Sequence, residues 1–171
     1  EVAPADQRAD AANALARAYL ESELTAEDHE VADAALTLLL DDPSPDVRLG
    51  LARALAPALN APHHIIVALA EDRADIAALI LAQSPLILDV EAIDWLGRGE
   101  VLIERAIASR RSVSTVLSDA LCASAGERAI LTLLENPGAT FTSGGLLKLA
   151  RRLGDLAKIR NALLAIRSLP T

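Results

Sequence analysis

Aromatic residues and sulfur are almost missing from this sequence: it holds one Phe, one Tyr, one Trp, one Cys and no Met in 171 residues. Recognition that stacks bases on aromatic rings has little to work with, because Tyr19, Trp95 and Phe141 fall in three separate segments. The lone Cys122 cannot pair within the chain and sits in an apolar helical stripe, where it is expected to pack as a small hydrophobe. His63 and His64 are adjacent and so point about 100° apart on a helix, His29 is remote, and no His/Cys cluster has the spacing of metal ligands. No metal and no cofactor is expected. No span approaches about 20 unbroken apolar residues, and no basic stretch leads into an apolar one at the start. The expectation is therefore a protein that does not insert into membranes and works in the cytoplasm. The lack of methionine at position 1 and elsewhere leads to the expectation that the chain is excised from a longer protein.

Strand signals are also missing, since no window alternates with period two between turn residues. What is present is aliphatic: the chain is 52% hydrophobic. Residues 42–85, DDPSPDVRLGLARALAPALNAPHHIIVALAEDRADIAALILAQSP, read as short helix, proline turn, short helix, acidic turn, and the same cycle again. Val47, Leu49, Leu51, Ala52 and Leu55 make one stripe at helical spacing, Ile65, Ile66, Leu69 and Ala70 a second, and Ile76, Leu79, Ile80 and Ala82 a third. Ser44, Pro45 and Asp46 supply cap chemistry and a proline-tolerant first turn. Corresponding segments open at Val47, Asp75, Val101 and Arg128, in steps of 28, 26 and 27 residues, shorter than the usual two-helix periods of about 33 to 47. Each repeat holds two helices of about ten residues, roughly 15 Å long. Helices so short are marginal alone and must be stabilised by stacking on their copies. The expected fold is all-α: an α-solenoid of short two-helix repeats over residues 47–171 as one continuous domain, with AKIRNALLAIRSLPT closing the stack.

Residues 1–46 differ. Two longer helices without the repeat's turns are expected, the second opened by Thr25 with Asp28 three residues on. This hairpin reads as an end cap, or as a dimerisation element carried by Ala11, Ala12, Ala14, Leu15, Ala18, Tyr19 and Leu20. Charge is uneven along the chain. Residues 1–46 hold 12 acids and 2 bases, residues 47–99 hold 6 and 4, and residues 100–171 hold 6 and 10, within a total of -8. A net acidic chain repels phosphate backbones at long range, so nucleic acid is an unfavoured partner. The basic residues Arg110, Arg111, Lys148, Arg151, Arg152, Lys158 and Arg160 read as a solvated helix face or as a local anion-binding surface. The opposed ends also allow a head-to-tail contact weakened by salt.

Asp46-Val47-Arg48 followed by Leu51-Ala52 resembles the opening of a HEAT-like or leucine-rich-variant repeat. Ala61-Pro62, Leu69-Ala70-Glu71-Asp72, Ser84-Pro85-Leu86 with Leu88-Asp89, Ile107-Ala108-Ser109-Arg110 and Leu133-Leu134-Glu135-Asn136 resemble, as a set over residues 47–152, a bacterial HEAT-like family catalogued as a domain of unknown function. The resemblance implies a right-handed solenoid with no assigned activity. It also implies that Arg48 bonds an acidic turn residue of the neighbouring repeat. The matching positions near Ala77, Ile103 and Ile130 are apolar, so no charge ladder is expected through the core.

Catalytic signatures do not assemble. The loop at residues 136–148, NPGATFTSGGLLK, lacks the Lys-Ser/Thr pair and the preceding strand of a phosphate cradle. It reads as a C-capping turn at Gly138 and an N-cap at Ser143. The acid pairs Asp41-Asp42 and Glu71-Asp72 sit in turns, where acids cap helices. No base near Cys122 activates it. The functional expectation is a non-enzymatic scaffold that holds a protein partner or another part of its own longer chain, with a homodimer through the hairpin as a further option. Trp95, Arg110, Arg111, Lys148, Arg151 and Arg152 are the candidate partner-binding residues, and a solvent-facing Trp95 would mark a groove. The alternative is a helical-repeat nucleic-acid binder or enzyme using the basic C-terminal third.

Overall fold

A computed structural model describes residues 3–23 and 25–166. Among them are eleven helices: α1 (Ala5–Glu21), α2 (Ala26–Leu39), α3 (Pro45–Leu55), α4 (His63–Ala70), α5 (Ala74–Gln83), α6 (Asp89–Leu96), α7 (Val101–Ala108), α8 (Thr115–Ser124), α9 (Glu127–Glu135), α10 (Ser143–Leu153) and α11 (Ala157–Ala165). The described residues form no strand, only one isolated bridge between Val113 and Ala139. The protein is all-α, and the segments read as opening at Val47, Ile65, Asp75, Val101 and Arg128 lie in helices that start within two residues of those positions. The end of the expected closing helix, residues 167–171, lies outside the described residues. The chain divides into two compact units, Glu1–Ile87 and Leu88–Thr171.

In the first unit α3 packs between α1 and α5, with α2 against α1 and α3 and α4 against α3 and α5. Thr25 caps α2 as its sequence indicates, accepting from the Asp28 N–H at 3.2 Å. Tyr19 on α1 folds over His29 on α2, ring centroids 4.5 Å apart, and clasps the hairpin. Helix α1 crosses α3 so closely that a Cβ on Gly50 would lie 2.6 Å from the Ala9 carbonyl oxygen. Asn13 donates to the Gly50 carbonyl oxygen at 3.0 Å across the same crossing.

Arg48 forms the bond its motif implies, gripping Asp72 with both Nε and Nη2, the latter at 3.0 Å, and donating to the Asp42 carbonyl oxygen at 2.7 Å. The expectation of a single such contact needs correction. Arg8, fourth residue of α1 as Arg48 is of α3, grips Asp42 at 2.9 Å through both Nε and Nη2. Two rungs therefore run from α1 to the turn before α3, and from α3 to the turn before α5. Sequence spacing hid the first rung because α1 is longer than the repeat helices. The next equivalent position is Ala77, where the ladder stops.

Bonding to these guanidiniums holds both Asp42 and Asp72 below the usual carboxylate range. A lowered folded pKa contributes stability that is complete above the unfolded value near about pH 4 and is lost as pH falls through the folded value. Replacing Asp72 with Asn is expected to cost the first unit about 1 kcal/mol at pH 7, a charge-assisted bond discounted for partial exposure. Urea titrations should show this penalty vanishing in strong acid, where wild-type Asp72 is neutral too. A penalty unchanged by pH would contradict the pairing.

In the second unit α8 packs between α6 and α10, and α9 between α7 and α11. Ile107, Leu117, Leu121, Cys122, Ile130, Leu133, Leu149 and Ile159 are fully buried. Polar pairs tie the start of one helix to the next-but-one helix before it. Ser114, N-cap of α8, accepts from the Leu117 N–H and donates to Asp89 of α6. Thr142, N-cap of α10, accepts from the Gly145 N–H at 2.8 Å and donates to Asp119 of α8 at 2.7 Å. Glu104, fourth residue of α7, is buried and accepts from the Gly126 N–H at the start of α9 at 2.9 Å. The position equivalent to Arg48 is thus Glu104, one residue past Ile103.

The glycine loop is built differently from its sequence reading. Helix α9 ends at Glu135 with Asn136 as its C-cap, not at a capping Gly138, and α10 is capped by Thr142, not Ser143. The local signal places a hydroxyl in the right turn. Which hydroxyl caps is settled by Asp119, about 23 residues upstream, which accepts from Thr142.

Candidate functional site

Three of the six candidate partner-binding residues contribute to the fold. Trp95 is 6% exposed, with the Arg98 guanidinium 5.7 Å from its ring centroid, so its indole has little surface to offer a partner. Arg110 is half-buried beside Asp89, and burial lowers its guanidinium pKa against that carboxylate's opposing pull. Its carbonyl oxygen accepts from Asn136 at 2.8 Å. Arg152 turns back on α8, donating through Nε to the Cys122 carbonyl oxygen at 3.1 Å and through Nη2 to that of Ala125 at 2.6 Å. These are terminal helix carbonyls that need donors. Arg111, Lys148 and Arg151 are exposed.

A different feature marks the surface of this unit. The solvent side of α8 carries Thr115, Val116, Ala123 and Ser124, with Ala120 half-buried, and no exposed ionised group. The one acid of α8, Asp119, is half-buried against Thr142. A surface helix ordinarily turns charged residues to water. Val116, Ala120 and Ala123 are spaced as one stripe, and Val116 is 60% exposed. On the flanking helices Val90 of α6 and Leu147 of α10 are exposed too, and Lys148 and Arg151 border the patch on α10. The start of α8 is tied to α6 by the Ser114–Asp89 pair and the start of α10 to the middle of α8 by the Thr142–Asp119 pair, which holds the three helices side by side.

The first unit has an apolar stripe of its own. Helix α2 buries only Leu36. Val31 and Leu38 are exposed, with Ala34 between them at the spacing of one helix face. Glu27, Asp28, Glu30 and Asp41 surround this stripe, all exposed. On α1, Ala12 and Tyr19 are buried while Ala11, Ala14 and Ala18 face solvent. Sequence reasoning placed the hairpin's surplus apolar surface on α1. The larger exposed side chains are on α2, and periodicity cannot tell a covered stripe from an open one.

No group of three His, Cys, Asp or Glu among the described residues could hold a metal ion. Nor is any described helix long and apolar enough to cross a membrane. An open pocket of about 180 Å³ lies between the starts of α7 and α9, lined by Val101, Glu104, Gly126, Glu127, Arg128 and Ala129. Its one buried acid, Glu104, is already bonded to Gly126. Cys122 is buried, and loss of water pushes its thiol up to about 11. The raised pKa alone reduces the reactive thiolate about a hundredfold. A disulfide-exchange reagent is therefore expected to label the native protein at least that much more slowly than the urea-unfolded chain. Similar rates in both states would contradict the packing of α8.

The described residues thus make an all-helical protein in which polar ties link helices next but one in the chain. The match with known sequences is more specific: residues 76–171, more than half of the chain, match the family described as uncharacterised protein conserved in bacteria (DUF2336). The chain belongs to that family. No curated protein and no solved structure matches it.

Proposed function

We propose that the chain is a non-enzymatic binding module, each unit a stretch of right-handed α-solenoid of HEAT-like type, and that the α6–α8–α10 surface holds a protein segment. Packing of each helix on the next but one, α1 on α3 on α5 and α6 on α8 on α10, supports the solenoid reading. The uncharged solvent side of α8 carries the functional reading. Open apolar stripes rimmed by charge are a common mark of protein-binding surfaces, and small side chains let a partner backbone come close.

The test uses full-length protein with Val116→Glu and Ala123→Glu together, both at exposed positions. Wild type should retain a protein from the native host, and the double variant should lose it while keeping its helical circular dichroism. An Arg111→Glu, Arg151→Glu variant tests the nucleic-acid alternative without disturbing Arg110 or Arg152, which bond within the fold. Salt-sensitive micromolar binding of DNA or RNA, lost in that variant, would overturn the protein-binding reading.

A further inference from the structure

We infer that the occupant of the α8–α10 surface is helix α2 of a second copy, giving a head-to-tail contact between chains. This rests on the binding-surface reading above and adds the partner's identity. Helix α2 is acidic, and on its outer side Val31, Ala34 and Leu38 are left exposed by the described residues: Val31 is 65% and Leu38 73% exposed. The α8–α10 surface offers the complement, with Val116 and Leu147 exposed around the small Ala120 and Ala123. Both stripes have the three- and four-residue spacing by which helices mesh.

Charge selects the pairing. Residues 1–46 carry 12 acids and 2 bases, whereas residues 100–171 carry 6 acids and 10 bases. Glu27, Glu30 and Asp41 around the α2 stripe would meet Lys148 and Arg151 beside the α10 stripe. Two α2 helices facing each other across a two-fold axis would set like charges together, which is unfavourable at contact distance. The contact is therefore between unlike surfaces, and each copy keeps one surface of each kind for the next.

Sedimentation of the full chain tests this with two variants. One carries V31K and L38K on α2, the other V116D and L147D on α8 and α10; all four positions are exposed. Wild type should associate with rising concentration without stopping at a dimer, and association should weaken at least about tenfold between about 0.05 and 0.5 M salt. Each variant alone should be monomeric. An equimolar mixture should form dimers and go no further, because one intact pair of surfaces remains; this also shows that both variants are folded. A mixture that stays monomeric would overturn the contact, as would an α2 variant that is monomeric while the α8–α10 variant still dimerises. Wild type that is monomeric at millimolar concentration would overturn it too. If in any of these cases V116E/A123E still abolishes capture of a host protein, the binding surface stands and only this occupant is wrong.

Discussion

Gly138→Ala is expected to destabilise the second unit by about 3 kcal/mol, the upper range for overpacking a rigid site. A Cβ at this position would stand 2.0 Å from the Arg111 carbonyl oxygen and 2.9 Å from its carbon. Both are backbone atoms and cannot rotate aside as a side chain could. Separating the two segments is costly as well, because they are laced together. Val113 N–H donates to the Gly138 carbonyl oxygen at 3.0 Å, and Thr140 N–H donates to that of Val113 at 3.0 Å. Asn136 donates to the carbonyl oxygens of Ala108 and Arg110 while its own Oδ1 accepts from the Gly138 N–H. Relieving the clash stretches several of these bonds together. The residue's φ is not positive, so its requirement for glycine comes from this approach and not from a left-handed turn. Chemical denaturation followed by circular dichroism gives the value, and a loss under about 1 kcal/mol would show that the two segments are not held in contact.

Leu117→Ala should cost about 3 kcal/mol, whereas Val116→Ala beside it should change stability by less than about 0.5 kcal/mol. The two residues are neighbours on α8 and similar in hydrophobicity. Leu117 is fully buried, so truncation loses its transfer free energy and leaves a cavity that packed neighbours only partly fill. Val116 faces water and gives up no native contact of consequence. The comparison separates packing from helix propensity, since Ala is the better helix former at both positions. Equal losses at the two sites would mean that the outer side of α8 is covered within the chain, and would remove the basis for a binding surface there.

The same pair of residues shows where sequence reasoning ends. Period and cap chemistry locate a helix such as α4, because a stripe such as Ile65, Ile66, Leu69 and Ala70 has to be covered by something. They do not say which of two adjacent apolar residues faces inward, since that depends on neighbours about 25 residues away. Arg8 was likewise illegible: its partner Asp42 is 34 residues distant and reads locally as a capping acid. Cys122 was placed correctly because a lone thiol in an apolar stripe has few other roles. Of the candidate basic residues, the sequence could not separate Arg152, bent back onto the carbonyls of α8, from exposed Arg151 next to it. Charge alone does not record what a guanidinium already holds.

The hydroxyl–carboxylate pairs of the second unit bear on how such a chain can grow. Ser114 faces backward to Asp89, and Thr142 faces backward to Asp119. A stretch copied from one carboxylate to the next carries a hydroxyl for the copy behind it and a carboxylate for the copy ahead. Duplication in whole copies leaves every such group matched, whereas a fractional insertion strands one of them. A change of length that removed α8 alone would leave Asp89 without its hydroxyl and Thr142 without its carboxylate.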